Sequence, residues 1–401
     1  MKSIIICIGD ELLTGDIANT NSKFMASLLS KNNIDVKKII TVGDGYQEIY
    51  RSLCDVPSDV DIILVSGGLG PTHDDVTKSV AVDFFETRLI FHKEYFQKIV
   101  DRFAKRGIKT SPENRTQSEI PENCEVIAND FGTALGMRFC KGQQKFYFFP
   151  GVPHEMEAML RDKIIPQLNN HSVSEIKTKI IRTYGIGEST LSNKIQSWRE
   201  ANPDIKVGFY PRYTGNDIKL QYPLTGQENV EKLVDILGNL VYGFDDEKIE
   251  EVIGKLLLDY NKKIAVAESC TGGTVASRLT DVPGSSAYMM CGIVAYSNES
   301  KINILGVNPE TLNRYGAVSQ EVALEMAENV RKINKCDFGI STTGIAGPGG
   351  GSHEKPVGTM WCAVSTDNGI EAYLFNRNMN REINKIFFSQ YIFKKLLEKL
   401  Y

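Results

Sequence analysis

Read for the alternation of apolar and polar positions, the chain opens on a short, almost unbroken apolar run, "KSIIICIG", which predicts a strand buried on both faces. "NTNSKFMASLLSKNN" then places Phe24, Met25, Leu28 and Leu29 on one side at helical spacing. "DIILVSGGLGPT" is again a strand entering a glycine turn, and "HDDVTKSVAVDFF" a helix with Val76, Val80 and Phe84 in register. Thr72, with Asp75 three residues on, resembles a capping box at the start of that helix. "KFYFFPG" followed by "VPHEMEAMLRDKIIPQL" gives the unit a third time. Repeated strand-turn-helix units predict a parallel sheet covered by helices on both faces.

The texture changes near Ser172. "IKTKIIRTYG" reads as a strand, "GESTLSNKIQSW" as a helix, and "IKVGFYPRYTGNDIKLQY" as a hairpin turning at Thr214-Gly215-Asn216. "NVEKLVDILGNLV" adds a helix, so a β-α-β-β-α order points to a small α+β, ferredoxin-like domain. From Asp245 onward "KKIAVAES", "DFGISTTG", "VGTMWCAVS" and "GIEAYLFN" are strands. "TGGTVASRLT", "SQEVALEMAENVRKI" and "REINKIFFSQYIFKKLLEKLY" are helices. The expected fold class is α/β in three domains: an α/β domain over 1–170, the small α+β domain over 171–244, and a second α/β domain over 245–401.

Length and composition narrow the function. The 401 residues suffice for two or three cores, and 42% hydrophobic with 24% charged residues is ordinary globular composition. A formal net charge of −4 argues against a dedicated nucleic-acid binder, which carries a basic patch or stripe. The eight cysteines show no C-x-x-C pair and several sit in apolar runs, as reduced core thiols do. The apolar start is too short for a signal peptide and ends at Asp10-Glu11, and no stretch has the length of a membrane-spanning helix. A soluble, cytoplasmic protein acting on small molecules, with neither nucleic acid nor membrane as partner, is expected.

Three glycine-bearing turns follow strands in the first third: "GDELLTG", "GGLGPTHDD" and "FPGVP". In an open α/β sheet such loops gather into one crevice, where bare amides suit a phosphate. The candidates for that contact are Gly9, Gly67, Gly68, Gly70, Thr72 and Gly151; shaping tight turns is the alternative role. Asp10, Glu11, Asp74 and Asp75 lie on two of these loops, and carboxylates beside a phosphate make sense when a hard divalent cation bridges them. For Asp74 and Asp75, complementing a helix dipole is the competing role.

"GDELLTGDIANTNS", "SGGLGPTHDDVTKSVA", "ENRTQSEIP", "NDFGTALG" and "FPGVPHEMEAM" resemble, in order, the amino-terminal half of the CinA competence/damage-inducible family, itself similar to molybdopterin-binding domains. The resemblance implies hydrolysis of ADP-ribose to AMP and ribose 5-phosphate with a divalent metal, Mg2+ or a similar ion, for which the four acids are the candidate ligands. Leu135 stands where the family has proline. "AESCTGG", "YSNESKINILGV", "GAVSQEVALEMA", "TTGIAGPGGGSHEKPVGTMW" and "NREINK" are similar to the family's carboxy-terminal domain and to free-standing nicotinamide mononucleotide (NMN) amidohydrolases. That implies hydrolysis of NMN to nicotinate mononucleotide and ammonia without a cofactor. The family's nucleophile falls on Ser269, its catalytic lysine on Lys301, and a functional arginine on Arg381, preceded here by Met379-Asn380 where the family has G-D. The whole resembles a bifunctional pyridine-nucleotide recycling hydrolase, expected as a homodimer. Its rivals are a molybdopterin-binding transferase and a non-enzymatic regulator of DNA uptake or repair.

The residues support the assignment on their own chemistry. An amide hydrolase needs a nucleophile, a base, oxyanion donors and anchors. Ser269 precedes Thr271, Gly272 and Gly273, whose amides at a helix start could receive the oxyanion. A lysine base must be partly neutral; at its usual pKa of about 10.4 roughly one molecule in 2,500 is neutral at pH 7, and burial or a neighbouring cation such as Arg381 would raise that share. "GIAGPGGGS", with Gly344, Gly347, Gly349 and Gly350, is the expected phosphate cradle, and Tyr296 a further substrate contact. Cys270 has no adjacent histidine of the kind a cysteine nucleophile takes; His353 alone lies in this domain, on the glycine loop, from which it could approach, so Cys270 stays the alternative nucleophile to Ser269.

Overall fold

The computed structural model describes residues 1–72, 75–105, 107, 109, 112–169 and 176–401. The chain divides into two compact units, Met1–Ser174 and Glu175–Tyr401.

In the first unit the strands are β1 (Lys2–Ile8), β2 (Asp35–Val42), β3 (Ile62–Ser66), β4 (Leu89–Phe91), β5 (Glu119–Pro121), β6 (Glu125–Ile127), β7 (Gly136–Lys141) and β8 (Gln144–Phe149). A six-stranded sheet runs β2-β1-β3-β8-β7-β6, parallel through β8 and antiparallel beyond it, while β4 and β5 form a separate ribbon. The unbroken apolar run of β1 has a direct cause: Ile4, Ile6 and Ile8 enter one core, Ile5 and Cys7 another on the opposite face. Helix Thr20–Lys31 buries Met25 and Leu29 on the second face, whereas Tyr46–Cys54 and Thr77–Phe84 cover the first with Ile49, Leu53, Val80 and Phe84. The capping box expected from Thr72 and Asp75 is not what forms. The helix begins only at Thr77, and the Asp75 carboxylate instead accepts from the amides of Gly70 (2.8 Å) and Thr72 (2.9 Å) and from the Thr72 hydroxyl, tying the glycine turn shut.

The second unit carries two sheets. Strands β9 (Ile176–Thr183), β10 (Lys206–Arg212), β11 (Gly215–Pro223) and β12 (Val241–Phe244) form an antiparallel layer ordered β10-β11-β9-β12. Arg212 faces Gly215 in the β10–β11 register, so the hairpin turns at Tyr213-Thr214, one residue before the expected place. The single helix expected over "GESTLSNKIQSW" breaks at Ile195 into Glu188–Lys194 and Gln196–Ala201. Strands β13 (Ile264–Glu268), β14 (Met289–Val294), β15 (Phe338–Gly344), β16 (Thr359–Thr366) and β17 (Gly369–Asn376) form the other sheet in the order β14-β13-β15-β16-β17. Its first three strands are parallel and the last two antiparallel. Ile264 and Val266 pack on one face with Phe388, Ile392 and Phe393 of helix Arg381–Leu400; Ala265 and Ala267 pack on the other with Val322 and Met326 of helix Gln320–Ile333. The molecule is thus of mixed α/β class, and both layers of Glu175–Tyr401 belong to one unit. Among the described residues no helix is long and apolar enough to cross a membrane.

Candidate active site

The carboxyl ends of β13 and β15 lie side by side, where a parallel sheet opens its crevice. Ser269 leaves β13 there, its amide held by the carbonyl of Thr342 at 2.9 Å. The turn below it uses left-handed backbone at two consecutive positions, Gly272 (φ 58°) and Gly273 (φ 93°), which is why two glycines stand together. The helix Thr274–Thr280 follows at once.

Glu268, fully buried, is the residue that sequence reasoning passed over. Its carboxylate accepts from the amides of Gly273 (2.9 Å), Val275 (3.1 Å) and Ala276 (2.7 Å). Of the three amides expected to receive an oxyanion, that of Gly273 is therefore taken by the carboxylate one residue before the serine, and that of Gly272 by the carbonyl of Ser269 at 3.2 Å. Thr271 is likewise buried, its hydroxyl 2.6 Å from that of Thr342. The signal was an acid at the end of an apolar strand, five residues before the second glycine.

Lys301 rises from helix Asn298–Asn303, whose start is capped by the Ser297 hydroxyl accepting from the Ser300 amide at 3.0 Å. Its side chain is 1% exposed, and its Nζ lies 3.0 Å from Ser269 Oγ, 2.9 Å from the carbonyl of Ala295 and 3.2 Å from that of Tyr296. Among the described residues no carboxylate forms an ion pair with it. Burial lowers its pKa from the ordinary 10.5, and Cys270 opposes this weakly; no neighbouring cation takes part, so the help expected from Arg381 is not the cause. Donor accounting gives the consequence. Two carbonyls can only accept, and a neutral amine has two hydrogens for them and a lone pair left for the Ser269 hydroxyl proton.

A cavity of about 270 Å³ is lined by Ser269, Lys301, Tyr296, Arg381 and the loop residues Gly344, Gly347, Gly349 and Gly350; Thr271, Gly272 and Gly273 stay outside it. Arg381, in the first turn of the last helix, donates to the carbonyl of Gly347 (2.7 Å) and the hydroxyl of Tyr296 (2.9 Å), so it braces the mouth. Gly347 adopts φ 89°, and a Cβ there would stand 2.6 Å from Val357, which closes that position to larger residues. Cys270 also faces the cavity, but burial pushes its thiol up to about 12, and His353 is not among the lining residues. The thiolate needed for nucleophilic attack is thereby disfavoured.

A second cleft, about 420 Å³, opens in the first unit past the carboxyl ends of β1, β3 and β8. Gly9, Gly67, Gly68, Gly70 and Gly151 line it together with Glu11, Asp44, Asp75, Gln117 and Glu155. Gly67 shows why side chains are missing from this wall: at φ 119° its Cβ would come within 2.3 Å of the Ile8 carbonyl. Thr72 and Asp10 stand back from the cleft, the latter's carboxylate accepting from the Asp44 amide at 3.1 Å. Asp74 lies outside the described residues. Among the described residues no group of three or more His, Cys, Asp or Glu side chains converges as a metal cage. Of the four acids expected to hold a metal, Glu11 and Asp75 line the cleft. Leu135, at the proline position of the family pattern, is buried.

Residues 246–400 match the CinA C-terminal domain, and residues 4–170 the probable molybdopterin binding domain. A CinA-like protein of Chloroherpeton thalassium is 42% identical over 407 residues, covering 97% of each chain. A CinA-like protein of Flavobacterium psychrophilum is 38% identical over 398 residues, covering 95% of this chain and 94% of the relative. Among solved structures, the competence/damage inducible protein CihA from Agrobacterium tumefaciens is 39% identical, with TM-score 0.36, over 38% of this chain and 94% of its own.

Proposed function

The chain belongs to the CinA family, and on that premise we propose that its carboxy-terminal module is an amidohydrolase that converts nicotinamide mononucleotide to nicotinate mononucleotide and ammonia. The observation that carries the reading is Lys301, buried with no carboxylate partner among the described residues and 3.0 Å from Ser269 Oγ. Neutral Lys301 takes the hydroxyl proton as Oγ bonds to the carboxamide carbon, giving a tetrahedral intermediate. The protonated lysine then delivers that proton to the amide nitrogen, which leaves as ammonia and leaves an ester on Ser269. Water, deprotonated by the same amine, cleaves the ester and restores the serine. The loop Gly344–Gly350 and Arg381 supply donors for the nucleotide's anionic parts, within a cavity whose 270 Å³ suits the ring end of the substrate. Incubation with NMN, with ammonia and nucleotide products measured, tests this; absence of nicotinate mononucleotide refutes it.

For the amino-terminal module we propose hydrolysis of ADP-ribose to AMP and ribose 5-phosphate. The supporting observation is the glycine-walled 420 Å³ cleft with acidic side chains at its rim. Glu11 and Asp75 would hold a divalent ion, which when bound offsets the charge of a diphosphate. The residues' own part is to present bare backbone to that diphosphate and to keep the turn at Gly70 closed through Asp75. Cleavage of ADP-ribose in the presence of magnesium, followed by chromatography, is the test. The partners proposed are therefore small nucleotides, and the assembly a homodimer.

A further inference from the structure

We propose that Glu268 is a positioning residue for the amide hydrolysis, setting the serine and the lysine against each other from one point at the end of β13. The inference rests on the Ser269–Lys301 reading above and adds to it a residue that touches neither substrate nor reacting atoms.

Two arms leave Glu268. Its carboxylate gathers the amides of Gly273, Val275 and Ala276 at 2.9, 3.1 and 2.7 Å, closing the neck of the turn that carries Ser269. Its carbonyl accepts from the amide of Ala295 at 2.8 Å, and the carbonyl of Ala295 in turn accepts from Lys301 Nζ at 2.9 Å. The nucleophile and the base sit 32 residues apart in sequence, yet both are referred to this one residue. The distance that matters, 3.0 Å from Nζ to Oγ, is the gap between the two arms.

An ordinary helix cap explains less. Caps are preferentially Ser, Thr, Asp or Asn, which satisfy one or two amides over a short reach. Glu268 is fully buried, and among the described residues it forms no ion pair, so its charge rests on amides alone. A buried carboxylate without a cation is a demanding device, tolerated where hydrogen bonds fully satisfy it. It also leaves Lys301 without an ion-pair partner among the described residues, which a carboxylate placed nearer the amine would have supplied.

The test uses a fluorophosphonate that labels activated serines whatever their carboxamide substrate. Glu268→Gln keeps shape but turns one amide contact into donor against donor, so the turn opens. Ser269 labelling in the full-length protein should slow about 10- to 100-fold, the loss expected when reacting groups are displaced by around 1 Å. The pH midpoint of labelling, which reports Lys301, should not move, and the folded fraction by circular dichroism should match the wild type. Glu268→Asp, which keeps charge but shortens the reach to Ala276, should slow labelling by less. Unchanged labelling in Glu268→Gln, a moved midpoint, or a loss in both variants that simply tracks unfolding would each overturn the proposal. If wild-type Ser269 labels but NMN is not hydrolysed, the substrate reading falls and the positioning role stands; an unlabelled wild-type serine overturns both.

Discussion

At the carboxyl ends of β13 and β15 the second unit holds a serine and a buried lysine already within hydrogen-bond reach; at the carboxyl ends of β1, β3 and β8 the first unit holds a wall of glycines with acids at the rim. Both clefts arise from the same rule of parallel sheets. They differ in where the chemistry resides. In the second unit the fold itself brings together the pair proposed to react, and burial lowers the pKa of the amine. In the first, two nearby acids are already engaged within the protein: Asp75 holds the backbone amides of Gly70 and Thr72, and Glu155 accepts from the side-chain amide of Asn129 at 2.7 Å. On the proposed reading, such a cleft shapes and binds a diphosphate, and the cation arrives with it.

The sharpest way to break this contrast is at the nucleophile. Ser269→Ala should reduce ammonia release from NMN by roughly 10⁴- to 10⁶-fold, as removal of a catalytic serine does elsewhere. Cys270→Ala should retain most of it, since that thiol is buried and held protonated. ADP-ribose cleavage should be untouched by either. A dead Cys270→Ala with an active Ser269→Ala would reverse the assignment.

Lys301 comes next. Lys301→Arg keeps a positive charge but cannot accept a proton at any working pH. It should lose about 10²–10⁴-fold in kcat, close to the loss in Lys301→Ala. If lysine served only to anchor an anion, the arginine variant would keep kcat and the alanine variant would mainly raise KM. Steady-state kinetics of the pair separate the two roles.

Chelation sharpens the comparison from the other side. EDTA should suppress ADP-ribose cleavage by about 10²-fold or more, the scale of a metal's several kcal/mol on a phosphoryl transition state. Ammonia release from NMN should stay within twofold, a margin of about 0.4 kcal/mol. Equal loss of both would mean that the two clefts do not divide the chemistry as proposed.

How far the sequence made these sites legible follows the same divide. Strands buried on both faces announce themselves as apolar runs, so β1, β3, β8 and β13 were readable, as were the glycine turns that follow them. Ser269, Lys301, Arg381 and Tyr296 were named from motifs, and the fold gathers them around one cavity. What escaped were side chains that serve backbone rather than ligand. Glu268 looks like the polar end of a strand until its reach around the turn to Ala276 is known. Asp75 looks like a helix cap until the helix is found to begin at Thr77. Both are carboxylates whose partners are amides three to eight residues away, and residue spacing alone does not say which way such a chain folds back. The depression of the Lys301 pKa was expected, but its cause proved to be burial without help from Arg381.

The smallest expected effect concerns that burial. Lys301 has a pKa below the ordinary 10.5 in the folded chain and the ordinary value when unfolded. Between those two values the unfolded state binds more protons, so stability must rise as pH rises through the window; below it both states are charged and the cost of the buried cation is constant. Lys301→Met removes this proton altogether. Raising pH from about 7 to about 10 should therefore improve the melting temperature of the wild type relative to Lys301→Met, by about 2–4 °C for each kcal/mol recovered in a unit of this size. The same proton governs activity, because only the neutral amine can take the serine proton. The kcat for NMN should rise along the same limb, and the difference in melting temperature should track it. A difference that stayed flat with pH while kcat rose would place the titrating base elsewhere than Lys301. A difference that moved in favour of Lys301→Met would mean that the lysine is stabilised in its charged form, and an amine so held could not begin the reaction as a base.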